Sequence, residues 1–180
     1  MFDLELHLIN NDSFQGPGLF RFDFKECMFF PKLHSFNHSK EIFEFVLLSL
    51  KKTKLLETGA YKWYDNHYGP IVIANIQIAD FLPIRYQTIH QEVDKIVDEA
   101  KGKYYDLMYE NDESEYVKNK IRKIIECIPF DKTVFYKYAI EVKKTNIGST
   151  KLVEHNLFDY FYFIIGFNEE KFYLLTLFFE

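Results

Sequence analysis

The chain has 180 residues, of which 48% are hydrophobic and 19% aromatic, and its formal net charge is -5. So many rings, 20 Phe and 13 Tyr, offset the entropy lost when the chain orders, so the composition excludes intrinsic disorder. The length suits one hydrophobic core, and no Pro-, Gly- or Ser-rich linker divides the chain. We therefore expect a single domain over residues 1–180.

The cysteines and the N-terminus point to an intracellular protein. Cys27 and Cys127 are too few for a disulfide framework and are expected to be buried free thiols. Asp3 and Glu5 stand where a signal peptide has a basic region followed by an apolar run, and no stretch reaches the length of a membrane span. We expect a cytoplasmic protein that does not associate with membranes.

The N-terminal residues alternate between apolar and polar with the period of a half-buried strand. This pattern covers residues 2–8 and recurs over 20–25, where Phe20, Phe22 and Phe24 alternate with charged residues. Residues 10–18 are rich in turn formers. The pattern predicts an antiparallel hairpin with a long loop.

Two elements are predicted between this hairpin and the middle of the chain. Ser39 is a suitable N-cap for a helix through Leu50, although Phe45 to Leu48 also suits a strand. Residues 70–78 are β-branched and apolar on both faces, which predicts a central strand covered on both sides.

Two amphipathic helices follow. The first begins near Arg85 and places its acidic residues opposite its apolar face. The second is predicted to begin at Ser114 as N-cap and to stop before Pro129, with an outer face that is basic and carries Lys118, Lys120, Arg122 and Lys123.

The last fifty residues are predicted to be entirely β. Strands are expected over 133–144, 157–165 and 172–179, the last two joined by a turn at 168–170. This β-meander follows a helical middle, so the predicted class is α+β, with an antiparallel curled sheet and two to three helices packed against it.

The negative charge is concentrated between Glu92 and Glu115. This segment contains nine carboxylates and three lysines, a local charge of -6, whereas the whole chain carries -5. Such a field attracts basic partners and repels phosphate backbones. There are two alternatives for the end of this segment. It could be a solvated linker between helices, or a site for a divalent cation bound by Glu110, Asp112, Glu113 and Glu115, although the stretch lacks the pattern of a calcium loop.

A ring-rich segment, residues 61–70, holds the only Trp and three Tyr among turn-forming residues. Large rings with a polar tip are favoured as interface anchors. The alternatives are a strand and turn that pack into the core, and a platform on which single-stranded bases stack. The acidic charge of the chain disfavours nucleic acid.

No motif indicates an enzyme. His34 and His38 have a metal-ligand spacing, but they precede the helix start signal and lack a third ligand nearby. No nucleophile elbow or phosphate loop is present. We therefore expect no catalytic residues, no cofactor and no metal.

In its acidic segment Glu92–Glu115, its ring-rich loop Tyr61–Tyr68 and its terminal hairpin, the chain resembles the immunity proteins that bacteria encode beside polymorphic or contact-dependent growth-inhibition toxins. The resemblance implies a 1:1 complex in which the protein covers the active site of a basic toxin domain, expected to be a nuclease (RNase). The alternative is a small enzyme or ligand-binding domain with a pocket between sheet and helices, using His7, His67 or the Asp65 region. The residues predicted to contact the toxin are Tyr61, Trp63, Tyr64, Asp65, His67, Tyr68, Asp106, Glu110, Asp112, Glu113 and Glu115.

Overall fold

The structure is a computed structural model that describes residues 5–15, 20–30, 39–52, 67–68, 71–108, 111–139 and 160–179. Within these ranges the elements follow one another as β1 (Glu5–Gln15), β2 (Phe20–Phe30), α1 (Ser39–Lys52), β3 (His67–Tyr68), β4 (Ile71–Val72), β5 (Phe81–Ile84), α2 (Tyr86–Met108), α3 (Asn111–Glu126), β6 (Val134–Tyr138), β7 (Tyr160–Phe167) and β8 (Lys171–Phe179).

Six of the described strands form one sheet in the order β1-β2-β8-β7-β6-β5, and every neighbouring pair is antiparallel. The sheet is curled and open, and the three described helices accompany it. The predicted α+β class and the C-terminal meander β6-β7-β8 are therefore confirmed. The single domain over 1–180 stays a prediction.

The β7–β8 hairpin occupies the centre of the sheet because both of its faces are apolar. Along β8, Phe172 and Leu174 pack on one face, and Tyr173 and Leu175 pack on the other. The predicted turn is confirmed: Asn168 Oδ1 accepts hydrogen bonds from the backbone N–H groups of the two residues that precede Phe172, at 2.9 and 2.8 Å.

The helices cover opposite faces of the sheet. Helix α1 packs on one face, in a cluster that includes Phe29, Phe43, Val46, Phe163 and Ile165. Helices α2 and α3 pack on the other face, in a cluster that includes Phe22, Val93, Val97, Ile121, Ile125 and Leu177. A sheet that is covered on both sides needs apolar residues at successive strand positions, which explains the aromatic-rich C-terminal strands.

Strand β1 differs from its prediction. It continues through the expected loop to Gln15, so only residues 16–19 separate it from β2. A bulge at Ile9 shifts the register between Leu8 and Asn10, and the strand then carries Phe14 to within 5.4 Å of the Phe22 ring centroid. The Asn-rich stretch forms a strand because a bulge and an edge position tolerate poor strand formers.

The predicted central strand over residues 70–78 is wrong. Its chain leaves β4 after Val72 and forms two 3-10 turns, Ile73–Asn75 and Ile78–Asp80. A carboxylate oxygen of Asp80 accepts the Gln77 N–H at 2.8 Å, which stabilises the second turn. Although the backbone here is irregular, Ile76 is buried in the cluster beneath α1, and Ile73 and Ile78 pack against that cluster while partly exposed.

The three helices are confirmed. Helix α3 begins at Asn111, before the predicted cap, and Ser114 is a buried residue inside it. Cys27 is buried as expected, whereas Cys127, just after the end of α3, is exposed, so the expectation that it is buried is wrong.

Candidate partner-binding surface

The ring-rich loop falls mainly outside the described residues. This applies to Tyr61, Trp63, Tyr64 and Asp65. The backbone of His67–Tyr68 forms β3, which pairs antiparallel with β4. The binding role of this loop stays a prediction.

The acidic residues predicted to bind a partner gather at the junction of α2 and α3. Asp106 lies in the last turn of α2, and Asp112 and Glu113 lie in the first turn of α3. Glu110 lies outside the described residues, and the side chain of Glu115 is 58% exposed. Acids in the first turn of a helix are stabilised by its dipole, so this arrangement needs no bound cation.

Further along the two helices, acids of α2 face bases of α3. Arg122 Nη2 donates to both carboxylate oxygens of Asp94, at 2.7 and 2.8 Å. Lys118 Nζ lies 2.6 Å from a carboxylate oxygen of Asp98. The sequence predicts outward charged faces on both helices, whereas the structure pairs these two acids of α2 with these two bases of α3. The sequence contained a signal for this pairing. The two acids of α2 are four residues apart, the two bases of α3 are also four residues apart, and they match when the helices run antiparallel.

A further acid of the same segment binds the sheet. Glu92 accepts a hydrogen bond from Lys137 Nζ of β6 at 2.9 Å, and both side chains are largely buried. Glu92 and Asp94 are each matched by one cation. They hold α2 in place and add little to the field outside the protein.

The charge balance changes at Lys118, whose side chain is only 9% exposed and contacts both Asp98 and Glu115. Burial opposes its charge, but hydrogen bonds and charge attraction to the two carboxylates together outweigh burial and raise the pKa of Lys118. One cation meets two carboxylates, which are 56% and 58% exposed. Lys118 and its two carboxylates together therefore carry a net negative charge.

A cavity of about 270 Å³ lies between α3 and the sheet. The sheet contributes polar side chains of β1 and β2 together with Phe24 and Tyr173, and α3 contributes Lys120 and Lys123. The exposed Cys127 donates to the backbone carbonyl of Lys123 at 3.3 Å. His7 is exposed on β1, where its Nε2 lies 3.2 Å from a carboxylate oxygen of Glu5.

Within the ranges that the structure describes, no group of three or more His, Cys, Asp or Glu side chains is placed to hold a metal ion. None of the described helices is long and apolar enough to cross a bilayer. Comparison with protein-family models, with curated proteins and with solved structures finds no match for this chain.

Proposed function

We propose that this protein is an immunity protein that binds a basic toxin domain, a nuclease, and blocks its active site. The observation that carries the proposal is a contrast within the acidic segment: Glu92 and Asp94 each pair with one cation, whereas Lys118 is shared by two exposed carboxylates. The sequence adds four more acids, and no lysine or arginine, between Asp106 and Glu113. A surface that holds surplus carboxylates in a fixed helical frame suits a cationic partner.

The active site of a nuclease is complementary in charge to this acidic surface. A cleft that binds a phosphate backbone must be cationic, so a rigid acidic surface is attracted to it and excludes the substrate. Asp106, Glu110, Asp112, Glu113 and Glu115 would guide the encounter. The rings of the 61–68 loop, with Asp65 and His67, would slow dissociation, because buried aromatic anchors act mainly on the off-rate.

The test compares two charge reversals. Asp112→Lys with Glu113→Lys changes the α2–α3 junction, and Glu41→Lys with Glu44→Lys makes the same charge change on α1, across the sheet. Glu41 also lies in a first helical turn, so the control matches the helix-dipole effect. The measurement is stopped-flow association with the toxin domain encoded beside this gene, at several ionic strengths.

We expect the junction variant to associate about tenfold or more slowly at low salt and to show a flatter salt dependence, with the α1 variant unchanged. Trp63→Ala should leave association intact and raise the dissociation rate about tenfold, or 1.4 kcal/mol. Equal association rates for the two charge variants would remove the acidic junction from the interface. Failure of the wild-type protein to bind or to protect cells would overturn the proposed function.

A further inference from the structure

Strand β1 forms one border of the described sheet. It pairs with β2 along its whole length, from Glu5 opposite Phe30 to Gln15 opposite Arg21, and the described residues contain no strand on its other side. The opposite border is β5, which has four residues and contains Pro83. A proline on a short edge blocks further pairing. Strand β1 is eleven residues long and has neither Pro nor Lys.

Apolar side chains are exposed on and beside β1. Leu8 and Ile9 are each 47% exposed at the bulge, and on β2 Met28 is 38% and Phe30 65% exposed. Natural proteins protect edges of this kind with charge, because such an edge is a template for another strand. The centre of β1 instead carries the uncharged residues Asn10 and Asn11.

We propose that the protein self-associates through β1, two copies pairing antiparallel about a two-fold axis perpendicular to the sheet, with Glu5 of one copy opposite Phe14 of the other. This inference is independent of the proposed function. A two-fold contact is self-complementary, so the same edge serves both copies and no new unpaired edge remains at the join.

The faces of the strand select this register. Because of the bulge, Glu5 and His7 lie on the α2–α3 side of the sheet, as do Asp12 and Phe14 beyond the bulge. With Glu5 opposite Phe14, His7 is opposite Asp12, and both side chains of each pair lie on the same side of the sheet. A slip of one residue would place each side chain opposite one from the wrong face.

Charge selects the same register. Lys120 Nζ lies 4.3 Å from the centroid of the Phe14 ring, so it marks the C-terminal end of β1 with a cation. Glu5 marks the N-terminal end with an exposed carboxylate. Antiparallel pairing brings each Glu5 to the Lys120 of the other copy. A basic partner would be repelled by Lys120 and Lys123, whereas a second copy is not.

The first experiment measures the mass in solution by sedimentation velocity over about a hundredfold range of protein concentration. We expect the mass to rise from 21.7 kDa toward that of a dimer. Ile9→Lys places a charge in the paired edge and should weaken the dimer by about tenfold or more. Leu48→Lys, at an exposed leucine of α1, is the matched control and should leave the dimer intact. Circular dichroism establishes that each variant is folded.

The second experiment tests the register. Glu5→Lys should weaken the dimer, and Lys120→Glu in the same chain should restore it, because the swapped charges again face each other across the two-fold axis. A wild-type protein that stays monomeric at the highest concentration, or a folded Ile9→Lys variant that still dimerises, would overturn the proposal. A charge swap that restores nothing would overturn the register.

Discussion

The central hairpin β7–β8 and the border strand β1 belong to one sheet but obey different constraints. Every residue of β8 from Phe172 to Phe178 is buried, whereas no residue of β1 from Glu5 to Phe14 is. The hairpin must satisfy packing on two faces, so nearly all its side chains are apolar. The border strand needs only to pair on one side, so it accepts Asn, Asp, Ser and a bulge. Position in the sheet, more than strand propensity, sets what each sequence tolerates.

The largest difference should appear when one Phe is truncated in the central hairpin and one at the end of β2, beside the border strand. Phe163 is 1% exposed and packs against Tyr138 and Phe81, with ring centroids at 4.8 and 5.5 Å. Phe163→Ala should therefore lower the free energy of unfolding by about 3–5 kcal/mol. The matched control, Phe30→Ala, alters an exposed ring and should change it by about 0.5 kcal/mol or less. Equal losses in urea unfolding would contradict the comparison.

A smaller effect should follow from overfilling the centre. Gly166 lies opposite Phe135 of β6, and a Cβ at this position would approach two carbons of that ring to 2.8 and 2.9 Å. Gly166→Ala should cost about 1–3 kcal/mol of unfolding free energy, because the buried ring must move. Combining it with Phe135→Leu should cost less than the sum of the two single changes. An additive result in this double-mutant cycle would mean that the ring moves freely.

The smallest change in unfolding free energy at neutral pH is expected from replacing either of the two cysteines. Burial raises the pKa of the Cys27 thiol from 9.0 to about 12. Between these values the unfolded chain has released a proton that the folded protein keeps, so this contribution to stability is complete below pH 9 and is lost as pH rises toward 12. Burial also raises the pKa of Tyr138 and Tyr162, which adds a loss of the same sign above pH 10.

Cys27→Ala should cost about 1 kcal/mol at pH 7 and flatten the fall in stability above pH 9. Cys127→Ala, at the exposed thiol, should leave the curve unchanged. Unfolding free energies measured by urea from pH 7 to 11 give the comparison. An unaltered alkaline slope in the Cys27 variant would assign that slope to other groups.

The candidate site was only partly predictable. The excess of acid before Glu115 is a property of composition. The sequence placed Asp112 and Glu113 before the predicted cap Ser114, whereas the structure places them in the first turn of α3. The sequence did not indicate which of these acids form ion pairs with lysine or arginine. Pairing of Asp94 with Arg122 and of Asp98 with Lys118 depends on how α2 and α3 lie against each other, and the sequence indicates each helix separately.

The sequence by itself determined the α+β class, the three helices, the hairpin pairs and the apolar character of the C-terminal strands, because these depend on periodicity along the chain. The tertiary structure decided that β8 pairs with β2, that β1 continues past its bulge, and that residues 73–80 turn instead of forming a central strand. Each of these outcomes depends on contacts between residues far apart in the chain, whose energies no local pattern contains. The terminal hairpin lies at the centre of the sheet because both of its faces are apolar and must be buried, whereas β1, which is more polar, lies at the border.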